Sequence, residues 1–131
     1  AALAATLGLY RAGLATTRIP VWRMIAAPVA HLRARAEAVQ ARIPADGRAR
    51  LRVADMTAAV GGGSLPGETL PSAGLAVDSR GAASVAERLR TGDPAVLTRV
   101  ADGAVWLDLR TVAPDDDAGL AGALGRVLTE R

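Results

Sequence analysis

The sequence predicts an α+β fold, with N-terminal helices followed by a β-β-α-β-β-α small domain that has a mainly antiparallel sheet and helices on one face. Three observations carry this prediction. Val29, Leu32, Ala36, Val39 and Ile43 recur at steps of three and four, which is the apolar stripe of a helix. Strand-like runs, Leu51 to Val60 and Ala73 to Val77, lie on either side of a glycine-rich loop. Further on, Val96 to Ala101 and Ala104 to Arg110 flank Asp102-Gly103, the two-residue turn of a hairpin.

The elements follow in chain order. Leu3, Leu7 and Tyr10 share one helical face and Gly13 stops that helix, so the first element has about three turns. Thr16 to Ile19 form a link. Pro20 opens a second helix at its first turn, and Pro28 ends it before the longer, striped helix. On the other side of that helix His31, Arg35 and Arg42 are expected in solvent, with Arg33 and Glu37 pairing along it. Pro44-Ala45-Asp46-Gly47 is a turn, and it divides a helical segment, residues 1–46, from a small α+β domain, residues 47–131. Ser84-Val85-Ala86-Glu87 fits a capping box at the start of a short helix with Val85 and Leu89 on its apolar side. Pro114 leads through Asp115, Asp116 and Asp117 into a last helix bearing Leu120, Leu124, Val127 and Leu128, with the acids suited to a helix N-terminus.

The Asp-Gly turn sets a register. Ala101 opposes Ala104, Val100 opposes Val105, Arg99 opposes Trp106 and Leu97 opposes Asp108. Val96, Thr98, Val100, Val105, Leu107 and Leu109 then form a core face, and Leu97, Arg99, Trp106, Asp108 and Arg110 share the other. Arg99 has two uses there. It stacks on Trp106 and pairs with Asp108, or an arginine of this face remains free to hold a carboxylate or phosphate.

Between the first two strands, Val60-Gly61-Gly62-Gly63-Ser64-Leu65-Pro66-Gly67 is neither helix nor regular strand, because glycine reaches positive φ and proline removes a donor. Such a loop on a rigid sheet is either an ordinary connection or a binding edge.

Composition narrows the chemistry. All 16 basic residues among the 131 are Arg, with no Lys, so this chain provides neither a Schiff-base lysine nor the lysine of a phosphate-binding P-loop. There is no cysteine, and His31 is the one histidine, which leaves no zinc site and no metal ligands to propose. Residues 1–52 hold nine Arg against Glu37 and Asp46, a net +7, while residues 53–131 hold seven Arg against eleven acids, a net −4, giving the overall +3. A basic half of this kind faces solvent, nucleic acid or another subunit. No apolar run approaches ~18 residues and no signal-peptide pattern appears, so no membrane contact is expected and a cytoplasmic location is. The chain begins at Ala1, already inside a helix-forming run, which suggests a piece of a longer protein.

The glycine loop, Leu70-Pro71-Ser72, Thr98-Arg99-Val100 and Leu107-Asp108-Leu109-Arg110-Thr111-Val112, together with Ile19-Pro20-Val21-Trp22-Arg23-Met24, resemble in their order the C-terminal part of the bacterial selenocysteine synthase family, the L-seryl-tRNA(Sec) selenium transferases. The resemblance implies a fold-type I pyridoxal phosphate enzyme that converts Ser-tRNA(Sec) to Sec-tRNA(Sec) with selenophosphate and forms homo-oligomers. It also implies that the Schiff-base lysine lies in a missing cofactor domain, so no catalytic residue and no covalently held cofactor are expected in this chain, which is expected to be inactive alone. In that setting Gly61, Gly62 and Gly63 form an edge facing the cofactor domain, and Arg99, Arg110 and Ser64 are the candidates for contact with substrate or an anion. Two other readings stay open: the small domain of a related pyridoxal phosphate-dependent ammonia lyase, or a non-catalytic interaction module.

Overall fold

The computed structural model describes residues 1–61 and 67–129. Three short helices, α1 (Ala2–Arg11), α2 (Ala15–Arg18) and α3 (Pro20–Ala26), precede the long helix α4 (Val29–Ala41) and a single turn, α5 (Ala45–Arg48). Strands β1 (Leu51–Ala59) and β2 (Thr69–Asp78) follow, then α6 (Ala82–Thr91), β3 (Arg99–Ala101), β4 (Ala104–Asp108), a 3-10 turn (Pro114–Asp116) and α7 (Asp117–Thr129). The four strands make one antiparallel sheet in the order β1-β2-β4-β3. The predicted fold class is the observed one.

One face of the sheet is dry. Leu51, Ala73, Leu75, Val77, Val105, Leu107 and Leu109 meet Leu32, Ala36, Val39 and Ile43 of the α4 stripe, Val85 and Leu89 of α6, and Leu120, Leu124, Val127 and Leu128 of α7. Burying side chains of this size contributes roughly 1.5–3 kcal/mol apiece, and alanines let the helices sit close to the strands. α4 thus shares one continuous core with the sheet, α6 and α7. By contrast, α1, α2 and α3 bury no residue. Leu3, Leu7, Tyr10, Leu14, Val21 and Trp22 are all exposed, Leu3 by 72%.

The hairpin register is as expected from Ala101–Ala104 to Arg99–Trp106, with Asp102 at φ 52° and Gly103 at φ 72°. Both positive values suit the mirror-image turn that matches strand twist. Beyond Arg99 the expectation fails. The Val96 N–H donates to the Leu89 carbonyl, 2.8 Å away, drawing this segment toward α6, so Leu97 is 82% exposed and never opposes Asp108. Val100 is 47% exposed on the sheet edge rather than in the core.

Other corrections are local. Ser84 lies inside α6, which begins at Ala82 with no side-chain cap; the nearby hydroxyl of Ser79 instead accepts the Gly81 N–H. The link at Thr16 and the turn at Ala45 each close into one helical turn. Strand β2 starts at Thr69, earlier than its apolar run suggests, and tolerates Pro71 because β4 pairs with β2 only from Gly74 onward. Arg33 pairs with Asp55 of β1, not with Glu37. Arg35 is 10% exposed rather than in solvent, and grips Asp117 through Nε (2.9 Å) and Nη2 (2.6 Å).

Candidate functional site

Sequence reasoning named the glycine loop as an edge toward the cofactor domain, and Arg99, Arg110 and Ser64 as anion-contact candidates. The structure distributes them over three places. β1 and β2 pair as far as Ala59 and Thr69, well past the last β2 residue paired to β4, so they project as a two-stranded arm. The loop joins the strands at its tip. Gly61, at φ +130°, and Gly67, at φ +85°, bound it in conformations that side chains rarely adopt. Gly62, Gly63 and Ser64 fall outside the described residues.

Arg110 sits at the base of this arm and is 7% exposed. Its Nη1 donates to the carbonyls of Met24, Ile25 (3.2 Å) and Ala27 (3.1 Å), and its Nη2 donates to the Pro71 carbonyl (2.6 Å). The first three carbonyls lie where α3 ends, the negative end of a helix that favours a cation. Asp108 completes the joint by accepting the Ser72 hydroxyl (2.5 Å) and the Arg110 backbone N–H (2.9 Å). One buried guanidinium thus ties the helical lead-in, the arm and the end of β4. Among the described residues Arg110 Nε has no acceptor, and a cavity of about 260 Å³ opens beside this joint, lined by Arg23, Met24, His31, Arg35, Arg110 and Val112 among others.

Arg99 lies elsewhere. It pairs with Trp106 near the middle of β4, on the open face of the sheet, whereas Arg110 lies beyond the end of that strand at Asp108. Its guanidinium carbon is 5.7 Å from the Trp106 ring centroid, as the hairpin register anticipated. Asp108, expected to pair with Arg99, is engaged by Ser72 instead. Arg52 of β1, which sequence reasoning missed, approaches the same ring to 5.0 Å while pairing with Asp78. Only the β1–β2 register brings it there, and no local pattern announces that register.

Arg35 is the other residue that sequence reasoning missed. Besides Asp117 it reaches the carbonyls of Leu109 (3.1 Å) and Val112 (3.0 Å), locking the segment around Arg110 onto α4. Among the described residues no group of His, Asp and Glu is arranged to hold a metal ion.

A four-stranded sheet covered by helices on one face, an Arg-clamped two-stranded arm and an uncovered helical lead-in make up a small α+β domain whose conspicuous polar groups are arginines. The chain belongs to the SelA family, L-seryl-tRNA selenium transferase, which its residues 1–113 match. It is 40% identical to the L-seryl-tRNA(Sec) selenium transferase of Moorella thermoacetica over 98% of this chain and 28% of that protein. The enzymes of the same name from Caldanaerobacter subterraneus subsp. tengcongensis and Serratia proteamaculans are 31% and 38% identical, over 95% and 88% of this chain and 28% and 27% of their own lengths. The chain therefore spans little more than a quarter of the relatives it matches.

Proposed function

We propose that this chain is the C-terminal small domain, with its connecting helices, of an enzyme that converts Ser-tRNA(Sec) to Sec-tRNA(Sec) using pyridoxal phosphate and selenophosphate. The observation that carries this reading is a similarity running along nearly the whole chain yet covering only 28% of the similar transferase. Pyridoxal phosphate supplies the electron sink for exchanging the seryl oxygen. The present residues do not fit its covalent anchorage, since the sequence has no lysine, so the cofactor is assigned to the rest of the enzyme. The same reading makes the enzyme a cytoplasmic homo-oligomer. Among the described residues no helix is long and apolar enough to cross a membrane.

Within that enzyme the uncovered faces of α1 and α3 pack on the cofactor domain, a role supported by the exposed Leu3, Leu7 and Tyr10 of α1 and Val21 and Trp22 of α3. Gly61, Gly62, Gly63 and Ser64 form the edge facing the cofactor domain. Arg110 positions the arm, its Nη donors already meeting four carbonyls. Arg99, with no carboxylate partner among the described residues, is the anion contact. The full-length protein, given pyridoxal phosphate, selenophosphate and Ser-tRNA(Sec), is expected to form Sec-tRNA(Sec), and the 131-residue chain alone to form none. A native polypeptide of only 13.3 kDa in lysates of the source organism would overturn the reading.

A further inference from the structure

The sheet face turned away from α4, α6 and α7 carries one row of side chains across all four strands. Arg52 pairs with Ala76, Ala76 with Trp106, and Trp106 with Arg99, so all four project from the same side. Ala76 is fully buried and small, which lets the Arg52 guanidinium cross it to reach within 5.0 Å of the indole centroid. Arg99 approaches the same ring from the opposite strand, at 5.7 Å. The indole is fixed by its own N–H, which donates to the Ala101 carbonyl (3.1 Å).

The two arginines differ in what answers their charge. Arg52 is held by Asp78 through Nε (3.0 Å) and Nη2 (3.4 Å). Arg99 is exposed, and among the described residues it has neither a hydrogen bond nor an ion pair. A guanidinium stacked on an aromatic ring keeps its edge donors free, pointing outward in a planar fork that matches two phosphate oxygens. A second cation on the same indole adds repulsion that a bound anion relieves. Arg50, reaching the Ser79 hydroxyl (3.3 Å) at the same end of the sheet, extends the positive groups into a track. Arg50, Arg52 and Arg99 together outnumber Asp78, and an extended track suits a polyanion better than a single carboxylate.

We propose that the Arg52–Ala76–Trp106–Arg99 row is a docking site for the RNA phosphodiester backbone, with Arg99 gripping the phosphate and Trp106 holding the fork in place. This rests on the transferase reading for the identity of the RNA. The contact positions the RNA without reading its sequence.

The test uses the full-length protein and Ser-tRNA(Sec), with dissociation constants measured across a salt series. Arg99→Ala is expected to weaken binding roughly tenfold near 0.1 M salt and to lower the slope of log Kd against log salt by about one, the signature of one lost phosphate contact. Arg99→Glu is expected to weaken it further, and Arg99→Lys to keep most of the slope while binding less tightly than the native protein. Native affinity and slope in both Arg99→Ala and Arg99→Glu, beside a native protein that binds and converts the tRNA, would overturn this proposal alone. A changed oligomeric mass accompanying weaker binding would also overturn it, assigning the row to a contact between copies. Failure of the native protein to bind the tRNA at all would sink the transferase reading and this site with it.

Discussion

At the residue scale the two conspicuous arginines of the second hairpin separate by partner. Arg110 is buried and donates to four carbonyls, so truncation leaves those acceptors facing a void. Arg110→Ala is expected to destabilise the domain by roughly 3 kcal/mol, and Arg110→Lys to recover only part of it, because one ammonium cannot span α3 and β2 together. Arg99→Ala removes an exposed stacking contact and is expected to change stability by less than about 1 kcal/mol. Thermal melts of the three variants check both statements. Sequence showed the Arg99–Trp106 contact because a two-residue turn fixes which residues face each other. It did not show the Arg110 clamp or the Arg35–Asp117 pair, since each joins segments far apart in the chain: 83 and 82 residues separate Arg110 from Ala27 and Arg35 from Asp117.

At the element scale the junction of β2 with β4 has no slack. An ideal Cβ built on Gly74 would lie 2.0 Å from the Leu107 carbonyl oxygen, a backbone atom that cannot rotate away. Gly74→Ala is therefore expected to cost more than about 2 kcal/mol or to shift the ladder, which a denaturant midpoint and amide exchange across Gly74–Asp78 would reveal. The striped helix, the proline-started α3 and the last helix were all legible, because periodic apolar residues and proline act locally. The start of α6 was not. Ser84-Val85-Ala86-Glu87 has the capping pattern, yet burial of Ala82 extends the helix upstream, and packing outweighs a cap worth about 1 kcal/mol. Likewise the β2 strand runs back through Pro71 only because β4 ends short of it.

For the whole molecule the sequence made the α+β class plain but left open what α4 packs on, since an apolar stripe tells that a helix packs and not on what. The uncovered side of α1 and α3 has a consequence in solution. The 131-residue chain is expected to self-associate through Leu3, Leu7 and their neighbours, and the double substitution Leu3→Glu with Leu7→Glu to return it to a monomer by light scattering without lowering its melting temperature. The strand order also carries a kinetic meaning. β1 pairs with β2 and β3 with β4, strands adjacent in the chain, while among the described residues the pairing of β2 with β4 is the one that spans a helix. Local ladders lose little entropy on closure and form early. The folding rate of this domain is therefore expected to follow the docking of the two hairpins along Gly74–Asp78 and Ala104–Asp108, so that substitutions in that ladder slow refolding more than substitutions at the β3 edge.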